Sequence, residues 1–357
     1  MNFQRLLALA SALALALLVR AGDAAEPIPV RVVVVTMFEL GHESGDDPGE
    51  LQAWVERFPL PRTLPFPQGY RPLRYNADKR VLGIVTGVGT AHSASSIMAL
   101  GMDPRFDFRR TYWIVAGIAG ADPRVMSLGS AAWAEWLVDG DLAHEIDARE
   151  IPDDWSTGYT PLDRDRPYQK PRPDTSGAVF HLDPGLVSWA YSLTRDVELL
   201  DTPGLRRVRR LYADFPGARR PPFVLRGDNV ASMTFWHGRL MTEWARRWLG
   251  YWTGGRGTFA TTAQEDTGTA LALRSLAAAG KVDARRFLVL RTASNPSMQF
   301  PGISAAQSLA LVNDGDYAGF EPSLDSAYRV GSPVVNEIVR HWSRYRDELP
   351  GAAPSRP

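Results

Sequence analysis

The sequence predicts an α/β fold, a single domain with a mainly parallel central sheet flanked by helices. The first observation is the stretch from Val81 to Asp122, where two apolar strands each enter a glycine-rich turn and a small-residue helix lies between them. The second is the alternation of strand and helix patterns along most of the chain, without an internal repeat or a flexible linker. Parallel strands of this kind gather their carboxyl ends at one edge of the sheet, where ligands bind.

The elements are predicted in chain order from the period of their apolar residues. Short apolar or β-branched runs predict strands at 29–36, 81–85, 113–116, 130–138, 223–225, 258–262 and 287–291. Helical spacing, or runs of small helix formers, predicts helices at 50–58, 91–100, 185–194, 240–249, 267–279 and 333–345. Residues 59–72 contain five prolines and are predicted as a loop. The domain is predicted to span 26–345, with an irregular insert at about 149–222 and a disordered tail at 346–357.

The composition excludes several classes of function. The chain of 357 residues has 40 basic and 40 acidic side chains and no long charged run, which argues against a nucleic-acid partner. It has no cysteine, so disulfides, cysteine nucleophiles and cysteine-bound metals are excluded. HExxH, histidine pairs at metal spacing and GxSxG are also absent, and no metal or cofactor is expected.

The first 25 residues have the pattern of a secretory signal. Arg5 precedes a run of fourteen uncharged residues, Leu6 to Val19, and Gly22 to Ala25 offers small residues for cleavage. Fourteen residues are short for a membrane span, although an uncleaved anchor remains the alternative. No later segment is apolar and long enough to cross a bilayer. The mature chain is therefore expected to be exported, to the periplasm in a bacterium, without integral insertion in a membrane.

A glycine-rich turn is the first candidate site. Thr86, Gly87, Gly89 and Thr90 lie between a predicted strand and a helix, where backbone N–H groups and the helix N-terminus favour an anion or a ribose. A tight turn that needs glycine only for its backbone angles is an equally good interpretation. Two further candidates lie nearby: His92 at the start of the helix, which could equally be a packed or capping histidine, and Gly117 at the end of the next strand.

Three other segments place polar or aromatic side chains after strands. Asp228 and Asn229 follow one strand and precede Trp236, whose ring could stack on a planar heterocycle; a turn backed by aromatic core residues is the alternative. Glu265 and Asp266 stand where a strand meets a helix. A carboxylate there accepts hydrogen bonds from ribose hydroxyls or caps the helix, or does both.

Asn295 follows the last predicted strand. Its amide suits the edge of a purine or pyrimidine, and an Asn-Pro turn is the alternative.

In combination, these segments resemble the nucleoside phosphorylase/nucleosidase superfamily and, more specifically, the purine nucleoside permease family, over Pro29 to His341. The matching segments are Thr86-Gly87-Val88-Gly89, Val115 to Gly120, Gly227-Asp228-Asn229, and the pair formed by Glu265-Asp266 and Asn295. The ribose motif of the superfamily, Met-Glu-x-Ala, is replaced by Gln264-Glu265-Asp266-Thr267, so either carboxylate could hold its place. Asn295 stands where nucleosidases have a proton-donating Asp.

The resemblance implies two functions. One is purine nucleoside binding linked to nucleoside uptake, in which a domain without membrane spans would act as a capture protein. The other is exported cleavage of the N-glycosidic bond by phosphate or water. In that case Gly87, Gly89 and Thr90 would hold the nucleophile, with phosphate as a co-substrate. Glu265 or Asp266 would then bind the ribose, and Asn295 the base. A third alternative to these two functions is a structural domain whose site has decayed. The superfamily resemblance also implies a homo-oligomer.

Overall fold

The computed structural model describes residues 26–170, 177–313 and 318–351. The predicted signal peptide and residues 352–357 of the predicted tail lie outside these ranges. Residues 346–351, predicted as the start of the tail, instead lie against the domain. The carbonyl of Arg346 accepts a hydrogen bond of 2.9 Å from Arg286 Nη2.

Helices and strands alternate through most of the described ranges. The helices are α1 (Gln52–Arg57), α2 (Thr90–Gly101), α3 (Pro184–Thr194), α4 (Pro203–Leu211), α5 (Arg239–Thr253), α6 (Asp266–Ala278), α7 (Ala305–Asn313), α8 (Phe320–Arg340) and α9 (Trp342–Tyr345). The strands are β1 (Ile28–Pro29), β2 (Val32–Thr36), β3 (Arg62–Leu64), β4 (Leu73–Asn76), β5 (Val81–Val85), β6 (Phe106–Asp107), β7 (Tyr112–Ala121), β8 (Ala131–Ala134), β9 (Trp136–Asp139), β10 (Ala143–Glu145), β11 (Tyr159–Pro161), β12 (Val179–His181), β13 (Val224–Arg226), β14 (Asp228–Ala231), β15 (Phe259–Ala263) and β16 (Phe287–Pro296).

Twelve strands of the described ranges form one mixed sheet. Its centre is parallel: β2 pairs with β5 and β7, and β7 pairs with β16. β2, β5 and the first half of β16 are apolar on both faces, and these strands are almost wholly buried, as expected of strands covered by helices on either side. The α/β class and the single central sheet predicted from the sequence are confirmed.

The direction of β15 differs from that of the central strands. It runs antiparallel to β7, with Thr261 opposite Ala121 and Thr262 opposite Gly120. The residues that follow β15 are therefore directed back along β7, toward Gly117. Glu265 lies next to the centre of the sheet for this reason, and not only because it follows a strand.

The predicted strand 130–138 is broken into β8 and β9 at Glu135. Asp228 Oδ1 accepts hydrogen bonds from the N–H groups of Glu135 and Trp136, at 2.9 and 2.8 Å. The two halves then take different neighbours, since β8 pairs with β16 and β13 whereas β9 pairs with β14 and β12. The apolar run predicts strand but holds no sign of this break.

Two helix predictions also differ from the structure. The predicted helix 333–345 is part of a longer helix, α8, which already begins at residue 320. The proline at 333, predicted as its first residue, lies inside it. The buried face of α8, with Val330, Val334, Val335 and Ile338, packs on β7 and β16, and its burial offsets the cost of about 3 kcal/mol for an interior proline. The predicted insert 149–222 is not wholly irregular, since it contains α3 and α4, which are capped by Asp183 and Thr202.

Candidate functional site

A cavity of about 1740 Å³ opens where β2, β7, β15 and β16 end. It exceeds the roughly 300–1,000 Å³ of most small-molecule pockets. Three residues of the predicted site line it, namely Glu265, Asn295 and Trp236. The others do not line it: Thr86, Gly87, Gly89, Thr90, His92, Gly117, Asp228, Asn229 and Asp266.

The inner end of the cavity is built around a buried arginine on β16. Arg291 Nη2 donates to Glu265 Oε2 at 2.8 Å and to Asp266 Oδ1 at 2.6 Å, and its Nε contacts both Asp266 oxygens at 3.1 Å. Burial alone would lower the pKa of Arg291, but Asp266 and Glu265 raise it above the ordinary value. The guanidinium therefore stays charged and fixes both carboxylates.

The two adjacent carboxylates have different surroundings. Asp266 is fully buried against Arg291 and has no face toward the cavity, whereas Glu265 lines the cavity. Burial raises the pKa of Glu265, and Arg291 opposes this effect. Of the two positions left open by the sequence, only Glu265 can meet a ligand directly.

Glu50, just before α1, is a site residue that the sequence analysis does not identify. Its Oε1 accepts from the N–H of Ile118 and its Oε2 from the N–H of Met37, both at 2.7 Å, and it lines the cavity. Burial raises the pKa of Glu50 to about 8, against the lowering effect of Arg291. The sequence offers little signal for it, because an acidic residue at the start of a helix is common for other reasons.

Gly117 contributes by having no side chain. A Cβ atom there would lie 2.0 Å from Met37 Cε, 2.7 Å from Arg291 Nη1 and 2.8 Å from Glu50 Oε1. Only glycine lets β7 pass this close to the charged cluster. Gly117 thus contributes by leaving space for the charged cluster, and it does not line the cavity.

The predicted glycine turn adjoins the cluster. Gly87 and Gly89 have φ values of 85° and 102°, which glycine adopts readily. The N–H of Gly89, at the N-terminus of α2, donates to Glu265 Oε1 at 3.1 Å, and Thr90 Oγ1 donates to the carbonyl of Gln264 at 3.0 Å. Thr86 Oγ1 donates to the carbonyl of Gly87. The anion held at this helix N-terminus is therefore the carboxylate of Glu265.

His92, one turn into α2, is exposed and lies away from the cavity wall. Its Nδ1 lies 2.8 Å from the carbonyl of Val88, and its ring is 6.0 Å from that of Tyr70. These contacts fit the alternative of a packed histidine.

Asp228 and Asn229 lie inside the sheet. Asp228 holds the break between β8 and β9, and its Oδ2 accepts from the N–H of Thr258 at 2.7 Å. Burial raises the pKa of Asp228, and the backbone N–H groups oppose this. Asn229 Nδ2 donates to Thr261 Oγ1 at 3.0 Å. The structure does not bring either side chain to the cavity.

Two side chains supply an amide and aromatic surface to the cavity. The pairing of β16 with β7 shifts register between Ala293 and Asn295. Such irregularities change the direction of nearby side chains, and Asn295 lines the cavity. Trp236 packs edge-on against Trp244, at 5.9 Å and 88°, and the neighbouring Phe235 is about half exposed in the cavity wall. Phe235 is therefore the ring freer to stack on a ligand.

Other kinds of site have no support among the described residues. They hold no group of three or more side chains suited to a metal ion. None of their helices combines the length and apolarity that a membrane span requires.

Comparisons with known proteins place the chain in a family. The family model described as purine nucleoside permease matches residues 29–350. A probable purine nucleoside permease of Schizosaccharomyces pombe is 31% identical over 285 residues, covering 77% of this chain and 80% of the relative. A purine nucleoside permease of Candida albicans is 28% identical over 321 residues, covering 88% and 76%.

Solved structures show the same fold at low identity. Futalosine hydrolase of Helicobacter pylori has a TM-score of 0.52 at 13% identity, covering 86% of this chain and 98% of its own. The 5'-methylthioadenosine/S-adenosylhomocysteine nucleosidase of the same organism gives the same four values. The nucleosidase-like fold implied by the resemblance is thus confirmed, and the chain belongs to the purine nucleoside permease family.

Proposed function

We propose that this chain binds a purine nucleoside in the cavity and that binding is the capture step of nucleoside uptake. The observation that carries the proposal is the lining of the cavity, to which Glu265, Glu50 and Asn295 all contribute. Carboxylates accept hydrogen bonds from sugar hydroxyls, and an amide can donate to and accept from the edge of a purine. The relatives from two yeasts bear the name of purine nucleoside permeases.

Binding is tested by calorimetry with adenosine and inosine. Glu265→Gln keeps the shape of the side chain but removes its charge, and we expect affinity to fall about tenfold or more, since hydrogen bonds to charged groups are worth about 1.5–3 kcal/mol. His92→Gln is the matched control, because His92 is exposed and outside the cavity wall. Unchanged affinity in the Glu265 variant, or equal loss in both variants, would count against the proposal.

A second candidate function, cleavage of the N-glycosidic bond, is favoured by Glu50 alone. A carboxyl group whose pKa is about 8 can take up or release a proton near neutral pH, which suits a general base. Water would attack C1′ and transfer a proton to Glu50, while the bond from C1′ to the base nitrogen breaks and the base leaves. Glu265, held by Arg291, would stabilise the positive charge that develops on the ribose.

The distinguishing assay is release of free base from inosine and adenosine, with and without phosphate. The N–H of Gly89 already donates to Glu265, so we propose that this turn does not hold phosphate and that any cleavage proceeds with water. Release that requires phosphate would contradict this assignment. Saturable binding with no release would leave the capture function as the complete account.

Export and assembly are further parts of the proposal. The leader predicted at residues 1–25 supports export; the curated relatives are fungal, so they lend no support to a bacterial periplasm in particular. Cell fractionation and the N-terminal sequence of the mature chain would test it. A homo-oligomer is proposed from the superfamily resemblance and is tested by light scattering on the purified protein.

A further inference from the structure

The outer part of the cavity has a different character from its inner end. Helix α4 lines it with Gly204, Arg207, Val208 and Leu211, which recur at i, i+3, i+4 and i+7 and so share one face. Arg210, three residues after Arg207, lines it as well. The cavity is thus acidic at the sheet and carries two arginines on the helix.

The arginines of α4 fall into two groups. Arg209 makes a two-pronged contact with Asp201, at 2.6 and 2.9 Å, and Arg206 lies 3.7 Å from the same carboxylate. Within the part of the chain that the structure describes, neither Arg207 nor Arg210 has a carboxylate within ion-pair distance. Like charges three residues apart on a helix repel each other, so an anion bound between them would relieve that repulsion.

Among the described residues, the other charged side chains of the outer cavity each have a polar neighbour or a helix N-terminus beside them; Glu56 accepts a hydrogen bond of 2.9 Å from Gln52 Nε2. Arg57 donates to Asp325 at 2.7 Å, a carboxylate that Arg329 also contacts, and lies over the ring of Tyr328. Glu321 lies in the first turn of α8, where the helix N-terminus stabilises a negative charge. Within the described residues, Arg207 and Arg210, both exposed to solvent, are therefore the arginines of the cavity wall that have no carboxylate partner.

We infer that Arg207 and Arg210 form a subsite for a phosphoryl group carried by the nucleoside, so that the ligand class includes nucleoside monophosphates. The inference rests on the proposed nucleoside site, because the sugar and base must occupy the inner end. Guanidinium groups suit this role because their planar donors match phosphate oxygens.

The test measures binding of adenosine, adenosine 5′-monophosphate and inorganic phosphate to the purified protein by calorimetry, at low and high salt. We expect the monophosphate to bind about tenfold more tightly than adenosine at low salt and to lose that advantage at high salt. Arg207→Gln with Arg210→Gln should abolish the advantage and leave adenosine binding unchanged. Arg206→Gln is the matched control, since it removes the same charge from the same helix while Arg209 still holds Asp201.

The outcomes separate the two proposals. If adenosine binds but the monophosphate binds no more tightly, or if the control loses the advantage equally, the subsite is refuted and the nucleoside site stands. Binding of inorganic phosphate that needs Arg207 and Arg210, without any advantage for the monophosphate, assigns them to the free anion and overturns the inference. If neither adenosine nor the monophosphate binds, the proposed function itself fails.

Discussion

Arg291 allows the charge balance of the site to be tested directly. Three buried carboxylates, those of Glu50, Glu265 and Asp266, face this one guanidinium. Substituting Arg291→Met keeps an unbranched side chain but leaves the carboxylates without a cation. Removing one partner of a buried ion pair costs about 3–5 kcal/mol, because the remaining charge stays desolvated.

We therefore expect the free energy of unfolding to fall by about 3–5 kcal/mol at pH 7.5. Domains of this kind are stable by about 5–15 kcal/mol, so a wild type near the middle of that range leaves the variant folded with about 5 kcal/mol of stability. Urea unfolding followed by tryptophan fluorescence measures the difference, and the buried Trp54, Trp113 and Trp133 provide the signal.

The pH dependence gives the same prediction a second measurement. Without Arg291, burial holds the pKa values of Glu50 and Glu265 further above those of the unfolded chain, because the lowering effect of the guanidinium is lost. The folded state then holds protons that the unfolded chain releases, so stability is greatest below about pH 4–5 and falls as pH rises. In the wild type, Arg291 opposes the raised pKa values of Glu50 and Glu265, and groups outside the cluster contribute equally to both proteins. Acidification from pH 7.5 to 5 should therefore stabilise the variant more than the wild type.

Two results would contradict this account of Arg291. One is a fall of less than about 1 kcal/mol in the free energy of unfolding of the variant at pH 7.5. The other is a difference from the wild type that stays constant on acidification. The first result would mean that the carboxylates are not desolvated by folding. The second would mean that the loss comes from packing of the side chain rather than from its charge. Arg286→Met is the control, since Arg286 is equally buried but bonds the carbonyls of Tyr345 and Arg346 and lies 3.3 Å from a single carboxylate, that of the partly exposed Asp283.

Three further predictions concern stability. Gly117→Ala should destabilise the protein by about 1–3 kcal/mol, because the new Cβ would meet the charged cluster. Gly250→Ala should instead stabilise α5 by about 0.5–1 kcal/mol, because no atom lies within 4 Å of its Cβ. Thermal unfolding of the two variants measures both effects. In the wild type, stability should fall between about pH 5 and pH 8 because burial raises the pKa of Glu50 to about 8, and Glu50→Gln should flatten this slope in urea titrations. Asp228→Ala should cost about 3 kcal/mol by leaving three backbone N–H groups unpaired, while calorimetry should show nucleoside affinity unchanged.

The parts of the fold that the sequence predicts correctly depend on local patterns. The run of valines in β2 and the strand, turn and helix around Gly87 are set by apolar period and by glycine, which act within a few residues. Glu265 and Asn295 are predicted because each follows a predicted strand, and local patterns suffice to select them as candidates. Their positions in the folded protein do not follow from those patterns, since β15 runs antiparallel to β7 and Asn295 lies within β16.

The remaining features depend on contacts between distant parts of the chain. Glu50 reaches the site by accepting the N–H of Ile118, and the link between Arg291 and Glu265 follows from the reversed direction of β15. Asp228 looked like a strand-end ligand but is used to break a strand 92 residues earlier. No spacing along the sequence carries this information, because it is determined by the register of strands that are far apart in the chain.

The hydrogen bonds of Glu265 limit what it can do for a ligand. An ionised carboxylate has about four acceptor positions, and Glu265 uses three of them for Gly89 N–H, Arg291 Nη2 and Gln264 N–H. It can therefore accept one sugar hydroxyl and not two. Glu50 accepts only two backbone N–H groups and lines the same cavity, so a second hydroxyl would have to bind there. In the proposed nucleoside complex the two carboxylates would therefore divide the sugar between them. That division gives the buried ion pair of Arg291 and Glu265 and the second acidic group, Glu50, separate roles in the proposed site.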